Sequence, residues 1–231
     1  MIQINWLGHS TFELTFPAGE VLVLDPWIKD NPAHPKGHEI EKIDAIAVSH
    51  AHFDHVNDLI PLAKKFSPKV VAIFETASWF EKKGVKNTVG MNKGGTVDLG
   101  FVKLTMTHAL HSCAIKDGDE LVYGGEAAGY VLTLKDGRTA YFAGDTALFS
   151  DMALIAELYR PELAFLPIGD HFTMDPHQAA HAARLLKVKR VIPMHYGTFP
   201  VLTGRPQELA AKLQKDGIEV WTLKPGETVQ W

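Results

Sequence analysis

At positions 50–55 the chain reads His50-Ala51-His52-Phe53-Asp54-His55, just after an apolar run that ends at Val48. Neutral imidazole nitrogens and carboxylate oxygens are the ligands that zinc and similar divalent ions take in proteins. The alternative is a histidine-rich turn that points into solvent, which suits a lone histidine better than four ligand-type residues so close together. The stretch therefore predicts a metal site held at the end of a strand.

The composition limits what kind of protein this is. The chain has 231 residues, 46% of them hydrophobic and 22% charged, so we expect one globular domain spanning residues 1–231. The formal net charge is −4 and no block of Lys and Arg stands out, which argues against nucleic-acid binding and favours a small-molecule substrate.

The cysteine content and the hydropathy of the chain indicate where in the cell the protein is expected. The single cysteine, Cys113, excludes an internal disulfide and is typical of a reducing compartment. No secretory signal and no apolar run of about 20 residues is visible. The sequence therefore predicts a cytoplasmic protein without a membrane span, and it leaves a homo-oligomer open.

Hydrophobic periodicity predicts alternating strands and helices. Runs of β-branched, aromatic and other apolar residues predict strands over 2–7, 11–16, 21–24, 43–48, 70–74, 96–99, 102–107, 129–134, 139–143, 163–167, 190–193 and 218–222. Helical spacing predicts helices over 58–66, 77–82, 147–159, 176–186 and 205–215. Asp136-Gly137 predicts a hairpin turn, and Asp175 before Pro176 predicts a capped helix start. This order of elements favours a layered α/β sandwich.

Three later ligand-type residues share one context, since each follows an apolar strand. They are His111, Asp145 and His195. Because strand ends along one edge of a sheet converge on a common crevice, we expect these side chains to line one site.

Five motifs together point to a known family. They are Asp25 at a strand end, the cluster from His50 to His55, His111 before Ser112, Asp145 in Gly144-Asp145-Thr146, and His195. In these motifs the chain resembles the metallo-β-lactamase-fold superfamily over nearly its whole length. The stretches 6–12 and 193–200 most resemble its branch of metal-dependent hydrolases similar to ascorbate-6-phosphate lactonase. The resemblance implies a four-layer αβ/βα sandwich.

The resemblance also implies a dinuclear metal centre. Its ligands would be His50, His52 and His111 on one ion, Asp54, His55 and His195 on the other, and Asp145 as the bridge. Asp25 would not be a ligand but would accept a hydrogen bond from an imidazole of the cluster. The expected cofactors are two divalent ions, zinc first, with manganese or iron as alternatives, because nitrogen and oxygen ligands without thiolate admit all three.

Such a centre predicts hydrolysis. Two divalent ions make hydroxide available at neutral pH and polarise the bond that breaks, and Asp54 and Asp145 would orient that hydroxide. The expected substrate has an ester-like bond, a lactone or a phosphodiester, in a small molecule that can carry a phosphate. His171 and His9 lie in loops at the expected rim, and each is a candidate proton donor to the leaving group. The alternative for both is a hydrogen bond to nearby backbone.

Two other function classes stay open at this point. One is an iron-dependent oxidoreductase on the same fold, and the other is a non-catalytic metal-binding module. Among the remaining candidates, His108 is expected to be structural, because an odd offset from His111 places the two on opposite strand faces. His177 and His181 share a helix face but lack a further ligand, and Cys113 is expected to be a small core residue.

Overall fold

Two sheets of seven strands each organise the protein, and a computed structural model describes every residue from 1 to 231. Each sheet belongs to its own unit. Unit 1 consists of Met1–Asn92, Ser112–Ala127 and Leu223–Trp231, and unit 2 consists of Lys93–His111 and Ala128–Thr222. The expectation of one domain over residues 1–231 stays a prediction beside this division.

Unit 1 contains most of its elements in the first part of the chain. Strands and helices are numbered in chain order through both units. The strands are β1 Gln3–Trp6, β2 Phe12–Thr15, β3 Val21–Leu24, β4 Ala45–Ala47, β5 Lys69–Ile73, β6 Thr88–Met91, β9 Ala114–Asp117, β10 Glu120–Tyr123 and β16 Thr228–Gln230. The helices are α1 Phe53–Val56, α2 Leu59–Phe66 and α3 Phe74–Lys82. The large sheet has the order β16-β1-β2-β3-β4-β5-β6, and β9 and β10 form a separate antiparallel pair.

Unit 2 holds the second sheet. The strands are β7 Thr96–Asp98, β8 Val102–His108, β11 Ala128–Leu134, β12 Thr139–Phe142, β13 Leu163–Pro167, β14 Arg190–Met194 and β15 Glu219–Val220. The helices are α4 Met152–Tyr159, α5 Pro176–Leu186 and α6 Pro206–Leu213, followed by a short 3-10 helix over Gln214–Asp216. The strand order is β15-β14-β13-β12-β11-β8-β7.

Both large sheets change from antiparallel to parallel pairing partway across. In unit 1 the strands from β16 to β3 pair antiparallel and those from β3 to β6 pair parallel. In unit 2 the strands from β7 to β12 pair antiparallel and those from β12 to β15 pair parallel. As a result β8, β12 and β14 run in the same direction, so the residues after them lie at one edge of the sheet of unit 2.

Apolar side chains hold the helices of each unit on its sheet. In unit 1, Ile46 and Val70 of the sheet cluster with Leu59 of α2 and Phe80 of α3. In unit 2, α5 turns a face of four buried alanines toward the cluster that includes Leu166 of β13, and these small side chains let helix and sheet approach closely. None of the helices has the length and hydropathy that a membrane-spanning segment requires.

Most of the predicted elements are present, with shifted ends. The parallel pairing of β4 with β5 across α2 and the hairpin between β11 and β12 are both confirmed. The Asp175 start of α5 is confirmed as a capping box in which the Gln178 amide N–H donates to Asp175. The helix expected over 147–159 is wrong at its start, because it begins at Met152 while the Ala147 N–H donates to the Leu110 carbonyl.

Candidate metal centre

The histidine cluster spans the end of a strand and the start of a helix. The strand β4 ends at Ala47, and α1 begins at Phe53 with His52 as its N-cap residue. This change from extended to helical backbone sends neighbouring side chains in different directions. His50 and His55 are buried, whereas His52 and Asp54 are half-buried and Phe53 is exposed.

His50 and His52 turn ring nitrogens toward each other. Nε2 of His50 lies 2.9 Å from Nδ1 of His52. Their outer nitrogens lie near hydroxyl oxygens: Nδ1 of His50 is 3.1 Å from Ser49 Oγ, and Nε2 of His52 is 3.4 Å from Ser112 Oγ. Because ligating histidines usually give their second nitrogen to such a partner, the inner nitrogens fit a shared cation.

Asp25 contacts the cluster through a buried carboxylate. Its Oδ2 is 2.7 Å from Nδ1 of His55, and Ser49 donates to both of its oxygens, from N–H at 2.7 Å and from Oγ at 2.5 Å. Burial raises the pKa of the Asp25 carboxyl, and the neighbouring His55 and the hydrogen bonds from His55 and Ser49 act in the opposite direction. The structure thus places the Asp25 carboxylate against the imidazole of His55.

His9 is buried beside the cluster rather than at a solvent-facing rim. Its Nε2 lies 3.1 Å from Oδ2 of Asp54, and its carbonyl accepts a hydrogen bond from the Trp6 indole at 3.0 Å. The ligand atoms of His9, Asp54 and His55 all lie within 4.8 Å of one another. The contact between His9 and Asp54 joins residues that are far apart in the sequence.

In unit 2, one carboxylate oxygen of Asp145 lies near the rings of two histidines. Oδ2 of Asp145 lies 2.9 Å from Nε2 of His195 and 3.7 Å from Nε2 of His111. Asp145 and His195 are buried, and His111 is half-buried. The structure therefore brings together the three residues that follow the ends of β12, β14 and β8.

His171 lies on an exposed turn of unit 2. Its ring packs edge-on against that of Phe172, with 4.4 Å between the ring centroids. A backbone hydrogen bond connects this turn to the segment after His195, because the Gly204 N–H donates to the Gly169 carbonyl. Gly169 also leaves no room for a side chain, because a Cβ there would lie 2.1 Å from the His195 carbonyl oxygen.

Unusual backbone conformations concentrate at the candidate residues. Nine residues other than glycine have a positive φ, and four of these are His9, Asp25, His171 and His195. Such conformations cost energy for residues with a Cβ and persist where the surrounding structure enforces them, which happens most often at functional sites.

Four other candidate residues take no part in the contacts described so far. His108 is exposed on β8, with Nδ1 3.2 Å from Lys93 Nζ. His177 and His181 share the exposed face of α5, with ring centroids 4.7 Å apart. Cys113 is buried, and its burial raises the pKa of the thiol, which suits a protonated core side chain better than a thiolate ligand.

Ser49 is the residue that sequence reasoning missed. It touches Asp25 and His50 at once. The only sequence signal is its place between the apolar run ending at Val48 and the first histidine, and a serine there looks like an ordinary strand end.

Comparisons with known proteins agree with the fold and the family. A profile of the Beta-lactamase superfamily domain matches residues 20–196. A UPF0173 metal-dependent hydrolase of Solibacter usitatus is 61% identical over 230 residues, covering the whole of both chains. A relative of the same description from Methanosarcina mazei is 42% identical, covering 99% of this chain and 98% of that protein.

A solved structure extends the agreement to three dimensions. Igni18, a metallo hydrolase from Ignicoccus hospitalis, is 35% identical and superimposes with a TM-score of 0.87, covering 99% of this chain and 97% of that chain. The expected metallo-β-lactamase fold is thereby confirmed, while the similarity to ascorbate-6-phosphate lactonase stays a prediction. The chain belongs to the β-lactamase superfamily and, within it, to the UPF0173 family of metal-dependent hydrolases.

Proposed function

We propose that this protein is a hydrolase that uses two divalent metal ions to break an ester-like bond in a small molecule. Family membership supports the general class of reaction. The observation that carries the proposal is the pair of imidazole nitrogens of His50 and His52, which face each other at 2.9 Å while their outer nitrogens lie beside hydroxyls. That is the chemistry of a cation-binding donor set.

Seven side chains are our proposed ligands. They are His50, His52 and His111 for one ion, Asp54, His55 and His195 for the other, and Asp145 between them. The support is chemical, since imidazole and carboxylate without thiolate suit zinc first and also manganese or iron. The shared Oδ2 of Asp145, close to Nε2 of both His111 and His195, supports its assignment as the bridge.

The protein's own residues would position the reactants. Bound divalent ions supply a Lewis acid and lower the pKa of water toward neutrality. Asp54 and Asp145 would orient the attacking water as hydrogen-bond acceptors. His9, buried against Asp54, would hold that carboxylate in place, whereas the exposed His171 can reach solvent and is the better candidate to protonate a leaving group.

The substrate class follows from the same chemistry. A lactone and a phosphodiester both present a polarised oxygen and a leaving alkoxide, and both are our candidates, with a phosphorylated small molecule among them. A small-molecule substrate agrees with the net charge of −4. A cytoplasmic location is part of the same proposal, and its support is the single cysteine, which fits a reducing compartment.

The test combines metal analysis with a substrate screen. We expect the purified protein to contain zinc, manganese or iron and to hydrolyse bis-p-nitrophenyl phosphate or a lactone. The variant His52→Ala should lose metal and turnover, whereas the matched variant His108→Ala, which changes an exposed histidine, should keep both. A His52→Ala protein with full metal content and full turnover would overturn the ligand assignment.

The same screen separates the other function classes. Oxygen consumption by iron-loaded protein, without hydrolysis, would indicate an oxidoreductase instead. Bound metal without turnover on any ester, lactone or phosphodiester would indicate a metal-binding module.

A further inference from the structure

We infer that Ser49 is a positioning residue that extends the orienting effect of one buried carboxylate, Asp25, to His50. Asp25 touches His55 directly and His50 only through the Ser49 hydroxyl. One carboxylate would thus orient histidines that belong to both ions of the proposed centre. This inference rests on the proposed function, because it assigns the histidines to metal ions.

The contacts form a continuous buried chain. The Ser49 hydroxyl donates to Oδ2 of Asp25 at 2.5 Å, and its oxygen lies 3.1 Å from Nδ1 of His50. On the other side, Nδ1 of His55 lies 2.7 Å from the same Oδ2. All four residues have at most 1% of their surface exposed, so water cannot easily take the place of any member.

The position of each proton follows from what each group can donate. The Ser49 hydroxyl has a single proton, and its hydrogen bond to the carboxylate oxygen Oδ2 of Asp25 uses it, because that oxygen is the acceptor. The Ser49 oxygen is then left as an acceptor toward His50, which places the ring proton of His50 on Nδ1. By the same rule the proton of His55 lies on Nδ1, toward Asp25.

This tautomer is the one that metal binding requires. With the proton on Nδ1, Nε2 of His50 keeps its lone pair, and Nε2 is the atom that faces Nδ1 of His52 at 2.9 Å. Without the hydroxyl, His50 would lose the acceptor that favours Nδ1–H over Nε2–H. Part of the protein would then carry a proton on the nitrogen that should bind the cation.

A purely structural role for Ser49 predicts a different result. The Ser49 N–H donates to Oδ1 of Asp25 at 2.7 Å, and this bond survives replacement of the side chain. If Ser49 only secured the strand end, losing its hydroxyl would change stability and leave metal affinity as it was. Affinity and tautomer therefore separate the two roles.

The experiment compares Ser49→Ala, Ser49→Thr and Asp25→Ala with the full-length wild type. Zinc affinity at each site is measured by competition with a chromophoric chelator. We expect Ser49→Ala to weaken one of the two sites about 10- to 100-fold and to leave the other nearly unchanged. Ser49→Thr, which keeps the hydroxyl, should recover most of the loss, and Asp25→Ala should weaken both sites.

Nitrogen-15 NMR of the histidine side chains gives a second readout that does not depend on variants. We expect His50 to be protonated on Nδ1 in the wild-type protein, with or without zinc. A wild-type protein with His50 protonated on Nε2 would overturn the inference, as would Ser49→Ala with unchanged zinc affinity or with equal loss at both sites. A wild type that binds no metal would instead overturn the proposed function, while the tautomer of His50 would still decide the role of Ser49.

Discussion

Replacing Gly169 by alanine is expected to weaken the metal centre without changing any proposed ligand. A Cβ at this position would lie 2.1 Å from the carbonyl oxygen of His195 and 3.2 Å from its carbonyl carbon. Because both atoms are backbone, no side-chain rotation can relieve the overlap. The backbone at His195 or at position 169 must move by about 1 Å to reach an ordinary contact.

That displacement sets the size of the effect. His195 carries the nitrogen that lies 2.9 Å from Asp145, so a shift of its backbone moves a proposed ligand. A displacement of about 1 Å can cost roughly 100-fold in turnover, and overpacking of this kind costs about 1–3 kcal/mol of folding free energy. We expect kcat/KM to fall about 100-fold, zinc affinity to fall and Tm to drop by several degrees.

The matched control is Gly90→Ala. Neither glycine has a positive φ, and the nearest atom to a Cβ at Gly90 is Cδ2 of Phe74 at 3.2 Å, at the edge of an exposed ring that can turn away. This variant should keep wild-type zinc affinity in the chelator competition assay. If Gly169→Ala also keeps wild-type affinity and turnover, the close approach to His195 does not position the ligand and the reasoning fails.

Three further variants test separate contacts. His9→Ala removes the imidazole that contacts Asp54, so we expect about tenfold weaker zinc binding in the competition assay; unchanged binding would show that His9 does not hold that carboxylate. Cys113→Ala should keep full metal content by elemental analysis, because a buried neutral thiol is not a ligand, whereas loss of an ion would contradict this. Asp175→Ala removes the hydrogen bond from the Gln178 N–H, and urea denaturation should show a loss of about 1 kcal/mol with metal content unchanged.

The sequence predicts elements well where local chemistry decides them. Asp175 before Pro176 specifies the start of α5 through its own side chain, and Asp136-Gly137 specifies a hairpin. Four short strands were missed. β6 and β16 pair with other segments of the chain, whereas β9 and β10 form a local hairpin with each other. All four are partly exposed and lack a strong apolar pattern of their own.

In the candidate site, too, some features can be predicted from the sequence and others cannot. The ligand-type residues can be predicted from their side-chain chemistry and from the apolar strands that precede them. The contacts that orient these residues cannot be predicted in this way, because each joins separate segments of the chain. Ser49 contacts Asp25, and His9 contacts Asp54 of α1. His171 is exposed and His9 is buried, a difference that the sequence does not predict because both residues lie in loops.

The pairing of β1 with β16 has a consequence for how the protein is made. Gln3 lies opposite Gln230, and the Ile2 N–H donates to the Trp231 carbonyl at 2.7 Å. During synthesis β1 can pair with β2 on one side, but its other edge stays open until residues 228–230 have left the ribosome, by which time both segments of unit 2 have been translated. Contacts so distant along the chain slow folding and leave an open strand edge meanwhile, so chaperone dependence should concentrate in unit 1.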